Sequence, residues 1–128
     1  MEINHPQTLA EVEAVFARYE TALVGNDVPV LAELFHPAPT TIRYGIAENL
    51  YGIGEIDAFR RARPGSGLER QLERTVITTY GRDMAVAATL FRRRSAPGRV
   101  GRQMQTWMRM PEGWRVVAAH VSVIDEPA

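Results

Sequence analysis

Apolar residues recur at helical spacing early in the chain and at alternating spacing late in it. Leu9, Val12, Phe16, Tyr19 and Leu23 form one helical stripe. Thr8-Leu9-Ala10-Glu11 has the form of a capping box that opens this helix, and Gly25 closes it before the turn at Asn26-Asp27. Asp27 then caps a second, short helix through Val30, Leu31, Leu34 and Phe35, which Pro37 and Pro39 end. A short β-prone stretch follows, Thr40-Thr41-Ile42-Arg43-Tyr44-Gly45, and after it a glycine-punctuated segment from Ala47 to Gly54. Ile56 and Phe59 anchor a third helix from about Glu55 to Ala62, broken by Pro64-Gly65-Ser66-Gly67.

The second half reads as strands: Leu72 to Tyr80, Met84 to Arg93, Val100 to Met110 and Trp114 to Ile124, joined at Gly81-Arg82-Asp83, Pro97-Gly98 and Pro111-Glu112-Gly113. Short turns between strands predict an antiparallel meander. Helices first and an antiparallel sheet last give an α+β fold. On strict alternation, Trp114, Val116, Ala118, His120 and Ser122 share one face of the last strand, and Arg115, Val117, Ala119, Val121 and Val123 the other. Both faces are largely apolar, so both are expected to be covered. Three helices cover one; a second copy of the chain is expected on the other, as a two-fold dimer through the outer sheet face.

With 128 residues the chain fits a single domain, 1–128. A hydrophobic share of 45% against 23% charged residues argues for a folded globular chain. The formal net charge is +0, which gives no reason to expect nucleic acid or a membrane surface as partner. There is no cysteine, hence no disulfide, thiolate metal site or cysteine nucleophile. No apolar run approaches the roughly 20 residues of a membrane span. The start of the chain lacks the basic and apolar regions of a secretory signal, and a cytoplasmic protein is expected. All 15 basic residues are arginine. Schiff-base chemistry on lysine is excluded, and every cationic site is a planar fork suited to carboxylates.

Arg43 is the informative charge. Pointing outward it would be an ordinary solvated arginine; pointing inward it would mark an anion-binding pocket, because a buried charge needs a partner. Three scattered histidines without paired spacing give no metal site, and no phosphate loop or nucleophile elbow is present. No cofactor is expected. Steroid-isomerase chemistry needs a pocket carboxylate, and Leu34 to Ala47 contains neither Asp nor Glu.

A long first helix, two short ones and a sheet ending in Gly113-Trp114-Arg115-Val116-Val117-Ala118-Ala119-His120-Val121-Ser122 resemble the NTF2-like superfamily, a cone with a pocket between sheet and helices. Thr41 to Gly45, Glu48-Asn49-Leu50-Tyr51-Gly52, Phe59-Arg60-Arg61-Ala62-Arg63 and Trp114 to Ser122 together resemble the AtzH/HpxZ family, and the likeness covers nearly the whole chain. It implies a cofactor-independent decarboxylating amidohydrolase that converts 1,3-dicarboxyurea, a small dicarboxylate, to allophanate in cyanuric acid or related nitrogen catabolism. It implies Tyr19 and Arg43 as the functional pair, and a functional link to a neighbouring amidase. The alternative is a non-catalytic binding protein serving that amidase.

Each residue also has an ordinary reading. Tyr19 is either a core tyrosine bonded to backbone or an oxyanion donor facing Arg43. Arg60 and Arg63 either lean toward the pocket as substrate-binding groups or end a solvated helix. On strict alternation His120 shares a face with Trp114, and the resemblance implies that this face points inward, so both are candidates for substrate contact; His120 is then either a base or a satisfied core histidine. Arg92-Arg93-Arg94 is expected at the surface. Arg102 and Gln105 fall on opposite faces of their strand.

Overall fold

The computed structural model describes residues 1–126. Helix α1 spans Pro6–Val24 and α2 spans Val28–Leu34. Strands β1 (Ile42–Tyr44) and β2 (Asn49–Tyr51) form a small hairpin before helix α3 (Ile53–Ala62). Four long strands follow: β3 (Gln71–Tyr80), β4 (Met84–Arg92), β5 (Arg99–Met110) and β6 (Gly113–Asp125).

The first helix starts a turn earlier than the capping box predicts. Pro6 occupies the first turn, where its fixed φ and missing N–H cost nothing. His5 becomes the cap, its Nδ1 accepting from the Thr8 backbone N–H at 3.4 Å. Glu11 is thereby released, and it takes the Trp114 indole N–H at 3.0 Å and Arg109 at 2.9 Å. The second helix follows expectation: Asp27 accepts from the Val30 N–H at 3.3 Å.

All six strands join one sheet in the order β2-β1-β6-β5-β4-β3. The four long strands form the expected antiparallel meander, but β1 runs parallel to β6, which makes the sheet mixed. The helices pack on one face, over a core that includes Val12, Phe16, Leu31, Phe35, Ile56, Trp107 and Val116. No helix among the described residues is long and apolar enough to cross a membrane.

A bulge in the β5–β6 ladder decides which residues face the helices. Thr106 pairs with Ala118 but Trp107 pairs with Val116, so Val117 is an extra residue and the alternation slips by one. Trp114 and Val116 point inward before the bulge; Ala119 and Val121 do so after it. His120 therefore lies outward, in a cross-strand row with Tyr44, Met104, Ala88 and Val76. Strict alternation had put it inside with Trp114.

Candidate active site

The inward row is Arg43, Ala119, Gln105, Ala87 and Ile77, each opposite the next across the sheet. That register turns the Arg43 side chain toward the helices, where the residue is 8% exposed. Its Nη1 donates to Glu48 Oε1 at 2.9 Å across the β1–β2 hairpin, and Glu48 Oε2 takes the Ala47 N–H. The pair lies directly over Gly45, whose missing side chain makes room for it: a Cβ there would stand 1.7 Å from Glu48 Oε1.

Arg43 opens on a cavity of about 170 Å³ between α1, α3 and the sheet. Tyr19 comes to the same cavity from the apolar stripe of α1, wedged between Phe35 and the edge of Trp107 with ring centroids 6.2 and 6.4 Å away. The Tyr19 hydroxyl is not among the side-chain atoms closed off without a partner, and it has no hydrogen bond to another described residue. A core tyrosine would have found one. Here the phenol is left as a donor on the cavity wall.

Three more arginines line the cavity: Arg63, Arg70 and Arg93. Arg70 is neutralised by a two-pronged contact, Nε and Nη2 on the two carboxylate oxygens of Glu20 at 2.8 and 2.6 Å, and its Nη2 also reaches Gln103 Oε1 at 3.0 Å. Arg63 and Arg93 have no carboxylate partner among the described residues. Burial pushes both below the usual arginine range, reinforced by Arg43 at Arg63 and by Arg70 and then Arg63 at Arg93. The cavity wall thus carries two guanidinium groups, Arg63 and Arg93, without a carboxylate among the described residues.

The other sequence candidates fall elsewhere. Arg60 is 2% exposed and stands outside the cavity lining. Its guanidinium lies 4.1 Å above the Phe35 ring, with Nη1 on the Leu31 carbonyl at 3.4 Å. Burial, then the charges of Arg43 and Arg63, lower it to about 10, while Tyr19 acts in the opposite sense. Trp114 is a core residue tied to Glu11. His120 is exposed on the outer face, edge-on to Tyr44. Neither touches the cavity.

Glu48, Arg70, Arg93 and Gln103 were not anticipated. For Arg93 the signal was present: Ala85, Ala87, Thr89 and Phe91 alternate inward, and Arg93 is next in that series. The charge run around it argued for the surface instead. Beside the cavity lies an open groove of about 630 Å³ that includes Arg92 and Arg94 and shares Arg70 and Arg93 with the cavity. It carries no tyrosine and reads as an approach for an anion, not the reaction site.

A family model for AtzH-like proteins matches residues 1–127. The chain belongs to the AtzH-like family. A solved structure of a protein of unknown function from Pectobacterium atrosepticum is 62% identical, covering 96% of this chain and 95% of that one with a TM-score of 0.94. A cystatin-like fold protein from Burkholderia xenovorans is 47% identical over 99% of both chains, with a TM-score of 0.95. An NTF2-like protein from Novosphingobium aromaticivorans, at 22% identity, TM-score 0.71 and 95% and 85% coverage, shares the fold alone. No curated protein matches. The AtzH-like match and these neighbours establish the NTF2-like α+β architecture.

Proposed function

We propose that this AtzH-like chain is a cofactor-independent decarboxylating amidohydrolase that takes 1,3-dicarboxyurea, or a close N-carboxylated urea, to allophanate in cyanuric acid or related nitrogen catabolism. The observation that carries the reading is the meeting of Tyr19 and Arg43 at one small cavity walled by arginine. Arg43 grips the carboxylate that stays, through the part of its fork that Glu48 leaves free. The bond between the other carboxyl carbon and nitrogen breaks, its electron pair passes to the urea nitrogen, and CO2 departs. The Tyr19 hydroxyl meets the charge developing on the urea and supplies the proton the nitrogen needs, to be replaced from solvent. One donor of this kind is worth roughly 3 kcal/mol of transition-state stabilisation.

A steroid-isomerase-like reaction would need a carboxylate free to shuttle a proton. Glu48 is a carboxylate on the cavity wall, but one oxygen is held by Arg43 and the other by the Ala47 N–H. Its role in the proposed reaction is to aim Arg43. A second copy of the chain is proposed to cover the outer sheet face, where Val76 and Met104 are 58% and 56% exposed. The cytoplasm and a neighbouring amidase complete the proposed setting.

The test of the reaction is turnover by the purified chain. More than one equivalent of allophanate per chain supports the enzyme; binding of the urea without release of allophanate above background would point to an accessory protein that holds a labile intermediate.

A further inference from the structure

Two aromatic rings organise the arginines of the cavity into two pairs. Phe59 carries Arg43 and Arg63, with guanidinium carbons 5.3 and 5.9 Å from the ring centroid. Phe91 carries Arg70 and Arg93, at 4.6 and 5.1 Å. Within each pair one member is neutralised, Arg43 by Glu48 and Arg70 by Glu20. The other member, Arg63 or Arg93, has no carboxylate among the described residues. Nη1 of Arg63 and both Nη atoms of Arg93 are not among the side-chain atoms closed off without a partner, and no described residue accepts from them, so these edges of the two forks are left for an anion in the cavity.

We infer that the cavity is a receptor for a dianion, with one carboxylate received at the Phe59 wall beside Arg63 and the other at the Phe91 wall beside Arg93, and that Arg93 sets the preference for two carboxylates over one. This rests on the cavity of the proposed function being the substrate site. Each wall contributes one uncompensated positive charge, so a ligand with two negative charges closes the balance. A monoanion leaves one guanidinium buried and unpaired. The consequence for turnover is direct: the substrate arrives with both charges, and loss of CO2 leaves a product with one, which the same two walls hold less well. Arg93 lines both the groove and the cavity, and unlike Arg70, which also does so, it has no carboxylate partner among the described residues.

The experiment is calorimetric titration of the whole protein with glutarate, which has the same bridge length between carboxyl groups as 1,3-dicarboxyurea, and with butyrate, the same chain lacking one carboxyl group. Glutarate is expected to bind roughly tenfold or more tightly than butyrate at low salt. Arg93→Gln should abolish that preference by weakening glutarate alone. Equal binding of the two ligands to the unmodified protein, no detectable glutarate binding, or an Arg93→Gln variant that weakens both alike would overturn the inference. A protein that prefers glutarate through Arg93 but turns over no dicarboxyurea keeps the dianion site and loses the proposed reaction. A protein that turns over dicarboxyurea without the glutarate preference does the reverse.

Discussion

Arg43 Nη1 donates to Glu48 Oε1 at 2.9 Å in the space that a side chain at Gly45 would occupy. The contact fixes the edge of the guanidinium that remains for substrate. Gly45→Ala must push Glu48 aside, since the added Cβ also falls 2.9 Å from Arg43 Nη1. The expected result is a folded protein whose kcat/KM falls roughly 10- to 100-fold from misplacement of the fork. Steady-state kinetics beside a melting curve check it; unchanged kinetics would show that Glu48 does not aim Arg43.

Arg60 is a charge held in the core by a carbonyl and an aromatic face, with no carboxylate among the described residues. Such a group costs stability. Arg60→Met, which keeps the packing volume along Phe35, is expected to stabilise the fold by about 1–3 kcal/mol and to lower activity, because the positive field behind Tyr19 is lost. Denaturant melts together with turnover of the same preparation decide it.

The ring of Phe91 stands where a side chain on Gly101 would be, 2.1 Å from an added Cβ. Gly101→Ala is expected to cost about 1–3 kcal/mol through overpacking and to raise KM, because Phe91 carries Arg70 and Arg93. A stability loss with KM unchanged would separate the ring from the site.

Glu11 is held below the usual carboxylate range, chiefly by the Trp114 indole N–H; desolvation opposes this, and the charge and hydrogen bond of Arg109 lower it further. A carboxylate lowered in the folded state adds stability above its unfolded value near 4.5, and that contribution is lost as pH falls through the lower folded value. Glu11→Gln is therefore expected to melt lower than the unmodified protein at pH 6 and to lose less of its melting temperature between pH 5 and pH 3. Parallel curves over that interval would contradict it.

The long strands were legible in the sequence almost to the residue, because short glycine and proline turns bracket clean runs of alternating side chains. The facing of the last strand was not. Val117, Ala118 and Ala119 are small and apolar and suit either face, so nothing in the pattern announces the bulge that sends His120 outward. The inward turn of Arg43 was equally hidden, since β1 is three residues long and its direction comes from parallel pairing with β6, more than seventy residues away. Tyr19 was readable from its helical stripe. Glu48 reaches Arg43 only once the hairpin folds, and Arg93 was masked by its charged neighbours.

The most direct measurement is kcat/KM for 1,3-dicarboxyurea with Arg43→Lys against the unmodified protein, at equal melting temperature. Lysine keeps the charge and loses the fork. The expected result is a loss of roughly 100-fold or more, on the order of 3 kcal/mol. Full activity in Arg43→Lys would contradict the carboxylate clamp and the reaction built on it.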